Sequence, residues 1–101
     1  MDDLVPTEFY LSQNYPNPFK DITTIKYCLP VKAKIKMTVF NSKNEKVREL
    51  VNTIQEAGTY QTKLESKDLP SGTYYYNMQA LDPIKKHTQL FEDKKEIVLH
   101  H

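Results

Sequence analysis

The sequence predicts an all-β protein, a two-sheet β-sandwich of about seven short antiparallel strands. Apolar and polar residues alternate with a period of two along most of the chain. Clusters of turn-forming residues interrupt that alternation at short intervals. No stretch shows the three-to-four spacing of an amphipathic helix.

Taken in order, Phe9 and Leu11 open a first short strand. The segment Gln13–Phe19, QNYPNPF, follows and cannot be a central strand, because Pro16 and Pro18 lack amide hydrogens. Each proline fixes its own φ and restricts the residue before it, so Tyr15 to Pro18 is expected to form a stiff, polyproline-like strap. Tyr15 and Phe19 are expected to pin it to the body, with Asn14 and Asn17 satisfying loop backbone groups. Ile25, Tyr27 and Leu29 then alternate with Thr24, Lys26 and Cys28, and Pro30 ends that strand.

Ala33, Ile35, Met37 and Val39 form the cleanest half-buried row. Asn41–Glu45 reads as a hairpin turn with Asn44 in the left-handed region. A strand resumes through Val47, with a short helical turn expected around Leu50 to Ile54. Ala57-Gly58 marks a turn or bulge, and Tyr60, Thr62 and Leu64 make the next inward row. Leu69-Pro70-Ser71-Gly72 is a tight turn with Gly72 at positive φ. Tyr74, Tyr76, Met78 and Ala80 then face inward while Tyr75, Asn77 and Gln79 face outward. A polar loop is expected after Asp82-Pro83, and Glu96 to Leu99 is expected to supply the last strand.

A chain of 101 residues suits one domain. Its formal net charge of +1 gives no field directed at nucleic acid or an anionic membrane. No apolar run approaches the roughly 20 residues of a membrane-spanning helix, and Met1-Asp2-Asp3 does not open a signal peptide. The single cysteine, Cys28, excludes an internal disulfide and reads as a small filler residue.

No catalytic constellation is visible, so the chain is not expected to be an enzyme. His87 stands in a lysine-rich loop without a partner motif, and the acids lack calcium-loop spacing. Asp21 and Asp68 are the best that a surface cation site has to offer. No phosphate loop, nucleophile elbow or zinc pattern occurs. No metal, cofactor, small-molecule substrate or nucleic acid is therefore expected. Tyr75 is the one member of the tyrosine run that faces outward, where it is either an ordinary strand residue or part of a stacking platform.

The order of motifs resembles the type A C-terminal sorting domain of the bacterial type IX secretion system. The matching pieces are FYLSQNYPNPF at 9–19, TTIKYCLP at 23–30 and IKMTVFNSKNEKVRELVN at 35–52. EAGTYQTKL at 56–64, LPSGTYYYNM at 69–78 and KKEIVL at 94–99 complete the series. The structural signature falls on Asn14, Tyr15, Pro16, Asn17, Pro18, Phe19, Gly58 and Gly72. The chain departs from the family pattern at Asn44, where Gly is usual, and at Lys20-Asp21, where a second Asn-Pro is common. Glu96 also stands near a usually apolar position.

The resemblance implies an immunoglobulin-like sandwich, related in fold to the flagellar hook-capping domain, at the C-terminus of a larger exported protein. It implies passage through the periplasm to the cell surface or the medium. The implied partners are an outer-membrane secretion translocon, a shuttle protein and a sortase-like protease that cuts near or before Asp2 to Glu8. Residues 1–8 are then a linker remnant and 9–99 the sorting domain, with His100-His101 either a tag remnant or natural. Recognition maps to Lys94, Lys95, Ile97, Val98 and Leu99. These are expected to offer an edge for strand addition, with the proline segment locking the opposite end of the domain and the fold surviving loss of this strand.

Two rivals make different demands. An accessory carbohydrate or protein module needs Tyr75, Tyr10 or Phe40 coplanar on one face. A purely structural spacer needs only edges that pair, and its oligomeric state is open.

Overall fold

The structure, a computed structural model, describes residues 6–85 and 87–101. The strands are β1 (Tyr10–Leu11), β2 (Ile22–Leu29), β3 (Ala33–Asn41), β4 (Lys46–Gln55), β5 (Gly58–Glu65), β6 (Gly72–Leu81) and β7 (Gln89–Leu99). They form a three-stranded sheet, β1-β2-β5, and a four-stranded sheet, β4-β3-β6-β7. Every strand pairing is antiparallel. The all-β sandwich expected from the alternation is the fold observed.

The inward rows meet between the sheets. Ile25, Tyr27 and Leu29 of β2 and Leu64 of β5 are buried from one side. Ile35, Met37 and Val39 of β3, Tyr74, Tyr76 and Met78 of β6, and Ile97 and Leu99 of β7 are buried from the other. Each large apolar side chain removed from water contributes roughly 1.5–3 kcal/mol, which is why the period-two rows dictate the fold. Tyr60 is a partial exception to the expected core. It is only half-buried and lies at the margin, stacked on Tyr27 at 5.5 Å between ring centroids.

The turns follow their residues. Asn44 has φ 66°, as expected for the hairpin after β3, and the Asn41 side chain accepts bonds from the amides of Lys43 and Glu45. Gly58 and Gly72 have φ of 154° and 156°, which side-chain-bearing residues rarely adopt. Asp68 also takes a positive φ, 67°, in the turn before β6.

Two element assignments differ from expectation. Leu50 to Ile54 is not helical but continues β4, held by its ladder to β3 from Ala33↔Gln55 to Met37↔Val51. Tertiary pairing and the β-branched Val51, Thr53 and Ile54 override the local helical pattern. The last strand begins at Gln89, not Glu96, and the loop after β6 is correspondingly short. Side chains bridge the rungs of its early half, Asn77 to Glu92 and Gln79 to Gln89, at 3.0 and 2.8 Å. Phe91 stacks on Phe9 at 5.3 Å.

Candidate recognition site: the strap and the last strand

Residues 10–19 pass from one sheet to the other along the side of the sandwich. The segment starts as β1, paired to β2 at Tyr10↔Cys28 and Leu11↔Tyr27. Ser12 continues it through bonds with Lys26, and Tyr15 exchanges two backbone bonds with Thr24, each of 2.9 Å. The strap then leaves the three-stranded sheet. At Phe19 it meets β7, the edge of the four-stranded sheet, in a parallel bridge to Leu99. The prolines occupy the crossing between these two attachments, where no ladder amide is required. The chain bends at each of Pro16, Asn17 and Pro18, so the crossing is not the extended polyproline form expected; Tyr15-Pro16 and Asn17-Pro18 are both cis.

A buried polar knot holds the turn. Asn14 is 2% exposed and donates from Nδ2 to the Thr23 hydroxyl at 3.0 Å and the Pro16 carbonyl at 3.1 Å. The Thr23 hydroxyl donates in turn to the Pro16 carbonyl at 2.8 Å. Gln13 donates both to Asn14 Oδ1 and to the Glu96 carbonyl of β7, each at 2.7 Å. From beneath, the Tyr76 phenol donates to the Ser12 carbonyl. Burial pushes that phenol far above the usual tyrosine range, which keeps it protonated as a donor.

The far end of the strap is fastened to β7 by three bonds. Val98 donates its amide to Asn17 Oδ1 at 3.0 Å and accepts from the Phe19 amide at 3.0 Å. His100 donates to the Phe19 carbonyl at 2.9 Å. Phe19 itself is 2% exposed within the core cluster. The roles given to Asn14, Asn17 and Phe19 hold. Tyr15 holds the strap through its backbone alone, because its side chain is left in water with the residue 81% exposed.

These bonds correct the expected geometry of the last strand. The proline segment does not lock the opposite end of the domain; it lies on the C-terminal half of β7. Backbone groups alternate in direction along an antiparallel edge strand. Val98 points to the strap, so Glu96, Lys94 and Glu92 also point away from β6. Val98 is fully engaged, the Glu96 carbonyl accepts from Gln13, and the Lys94 amide is bonded by Asp93 at 2.8 Å. Ile97 and Leu99 are buried, so their side chains serve the core. Lys94 is exposed, and Lys95, paired with Asp93 at 3.6 Å, is half-exposed. Ile97 and Leu99 thus form part of the core, which argues against the expectation that most of the fold survives loss of this strand.

The aromatic platform of the rival reading divides between sheets. Phe40 and Tyr75 are cross-strand partners on β3 and β6, whereas Tyr10 belongs to the other sheet. The Lys94 amine sits 5.1 Å above the Tyr75 ring and covers it. His101 bonds to Leu69 and Ser71, and Cys28 Sγ lies 3.7 Å from the Thr59 hydroxyl. Among the described residues no group of acidic, histidine or cysteine side chains is arranged to hold a metal. Part of the expected cleavage region, residues 1–5, lies outside the described residues.

The fold and the seam define an all-β sandwich closed along one side by a strap that joins its two sheets. The chain matches the family described as the secretion system C-terminal sorting domain over residues 13–90, and it belongs to that family. It is thus a C-terminal sorting signal for type IX secretion, the kind of domain that marks proteins for export through the periplasm to the cell surface or beyond. The match takes in the strap from Gln13 onward and both signature glycines, and ends at Leu90, just after β7 begins. No curated protein and no solved structure matches the chain.

Proposed function

We propose that this domain is a non-catalytic tag, read at the seam where the strap meets β7. Its implied readers are the outer-membrane translocon and a shuttle protein, and a sortase-like protease would separate it from its cargo near or before Asp2 to Glu8. On this reading 9–99 is the sorting unit and 1–8 the linker. The observation that carries the proposal is the fastening of Asn17 and Phe19 to Val98, which makes one surface of the family signature and the last strand. Lys94 and Lys95 present charge beside that seam, while Ile97, Val98 and Leu99 fix its position.

The test is a fusion of the chain to a periplasm-directed fluorescent protein in a bacterium with a type IX system. Export is compared with that in a secretion-deficient strain. Deleting Lys94–Leu99 would remove the core residues Ile97 and Leu99 and unfold the domain, so paired substitutions Lys94→Glu and Lys95→Glu replace it. Translocon-dependent export that falls with these substitutions, in a domain that still melts cooperatively, supports the reading. Export unaffected by them removes the lysines from the recognition surface, and a reporter stranded in the periplasm removes the sorting function.

A further inference from the structure

The outer face of the three-stranded sheet carries a second surface, on the other side of the strap from its seam with β7. The bridge Tyr15↔Thr24 and the pair Thr24↔Lys63 set these three residues in one row across the sheet. The next row contains Lys26↔Gln61, beside Ser12. These side chains line an open hollow of about 500 Å³. The Tyr15 ring stands in water at its rim, 81% exposed. Neither the Lys26 nor the Lys63 ammonium is paired with a carboxylate among the described residues. Glu65, opposite Ile22, bounds the basic strip on the far side.

We propose that this hollow binds an acidic saccharide. A bare tyrosine ring offers a flat apolar face for the C–H side of a sugar. The Ser12 and Thr24 hydroxyls and the Gln61 amide match sugar hydroxyls in both donor and acceptor sense. The Lys26 and Lys63 ammonium groups select a carboxylate or phosphate on the ligand. A protein segment fits less well. Thr24 and Lys26 of β2 direct their backbone groups to the strap and β1 on one side, and β5 pairs on the other. The sheet's open edge on this side is the outer side of β5, beyond the floor of the hollow, so strand addition there would leave the hollow itself unfilled. The hollow is shallow and open to solvent, and lacks the desolvated recess that anchors an interface side chain.

The isolated chain is screened on an array of uronate-, sialate- and phosphate-bearing oligosaccharides with their neutral counterparts. Tetragalacturonate is then titrated against it by NMR. Retention of acidic over neutral glycans is expected, with amide shifts confined to Thr24, Lys26, Gln61, Lys63 and their neighbours. The double substitution Lys26→Gln/Lys63→Gln should weaken binding about fivefold or more, and added salt should weaken it further. Tyr15→Ala should weaken binding at unchanged charge. The proposal is overturned if no acidic glycan is retained above its neutral counterpart. It is equally overturned if binding ignores all three substitutions, or if poly-glutamate binds as tightly as the saccharide, which would mark an acidic-protein surface. The readout is independent of export, so failure here leaves the sorting role untouched.

Discussion

The two aromatic residues that flank the prolines have nearly the same sequence surroundings and opposite fates. Tyr15 is 81% exposed and Phe19 is 2% exposed. At Tyr15 the strap is an added edge of the three-stranded sheet, held by two backbone bonds to Thr24. At Phe19 it has crossed the mouth of the sandwich and its side chain enters the core beside β7. One end is attached by backbone and leaves a side chain free for contact. The other is attached both by backbone bonds to Val98 and His100 and by burial of its side chain, which leaves no ring at the surface. Burial along such a segment is set by which sheet edge each residue meets, and not by its own hydrophobicity.

The largest effect should come from the buried end. Phe19→Ala should cost about 3–5 kcal/mol, because it empties a filled core site. It should also free the β7 edge at Val98, so chemical denaturation should show a large loss of stability and amide exchange should show an unprotected Val98. A cost near zero would mean that the strap is not anchored there. The knot between the two ends comes next. Asn14→Ala leaves the Thr23 hydroxyl without its donor and takes from the Gln13 amide and the Pro16 carbonyl one of their two partners each. It should cost about 1–3 kcal/mol, readable by thermal melting.

Alkali probes the floor beneath the strap. Tyr76 holds its proton far more tightly folded than unfolded, because burial disfavours the phenolate. A raised folded pKa gives stability that is fully present below the unfolded value of about 10 and is lost as pH rises above it. Unfolding free energy should therefore fall with rising pH above about 10. Tyr76→Phe should flatten that slope, at the cost of the bond to Ser12. Burial also raises Tyr27 and Tyr74, so a residual slope should remain.

The inner rows were legible because a period of two has one physical meaning wherever both sheets contribute a core face. Ile35, Met37 and Val39 could be read directly, and so could Tyr74, Tyr76 and Met78. The first half of β7 was not legible. In Gln89–Lys95 only Phe91 supplies a half-buried apolar side chain on the inward row, and the strand is imposed by its pairing with β6. The strap was legible as a stiff crossing but not in its destination. Its decisive bond joins Asn17 to Val98 across 81 positions of sequence, and no local pattern encodes that distance. The lysines of the last strand were visible as charge, but the bonds from the strap to Glu96 and Val98 beside them were not.

The smallest effects should distinguish the strap's ends most finely. Asn17→Ala removes one hydrogen bond at a solvent-accessible site, so it should cost about 0.5–1.5 kcal/mol. Its clearest signature is local: the Val98 amide should exchange faster, while Ile97 and Leu99, whose backbone groups point the other way toward β6, should stay protected. Tyr15→Ala at the exposed end should fall within about 0.5 kcal/mol of the parent, since its attachment to Thr24 is made by backbone that alanine retains. If Tyr15→Ala proved as costly as Asn17→Ala, the Tyr15 ring would be packed in solution and the contrast between the two ends would collapse. If Asn17→Ala instead exposed Ile97 and Leu99 along with Val98, the strap would be holding the whole strand in register rather than sealing one residue of its edge.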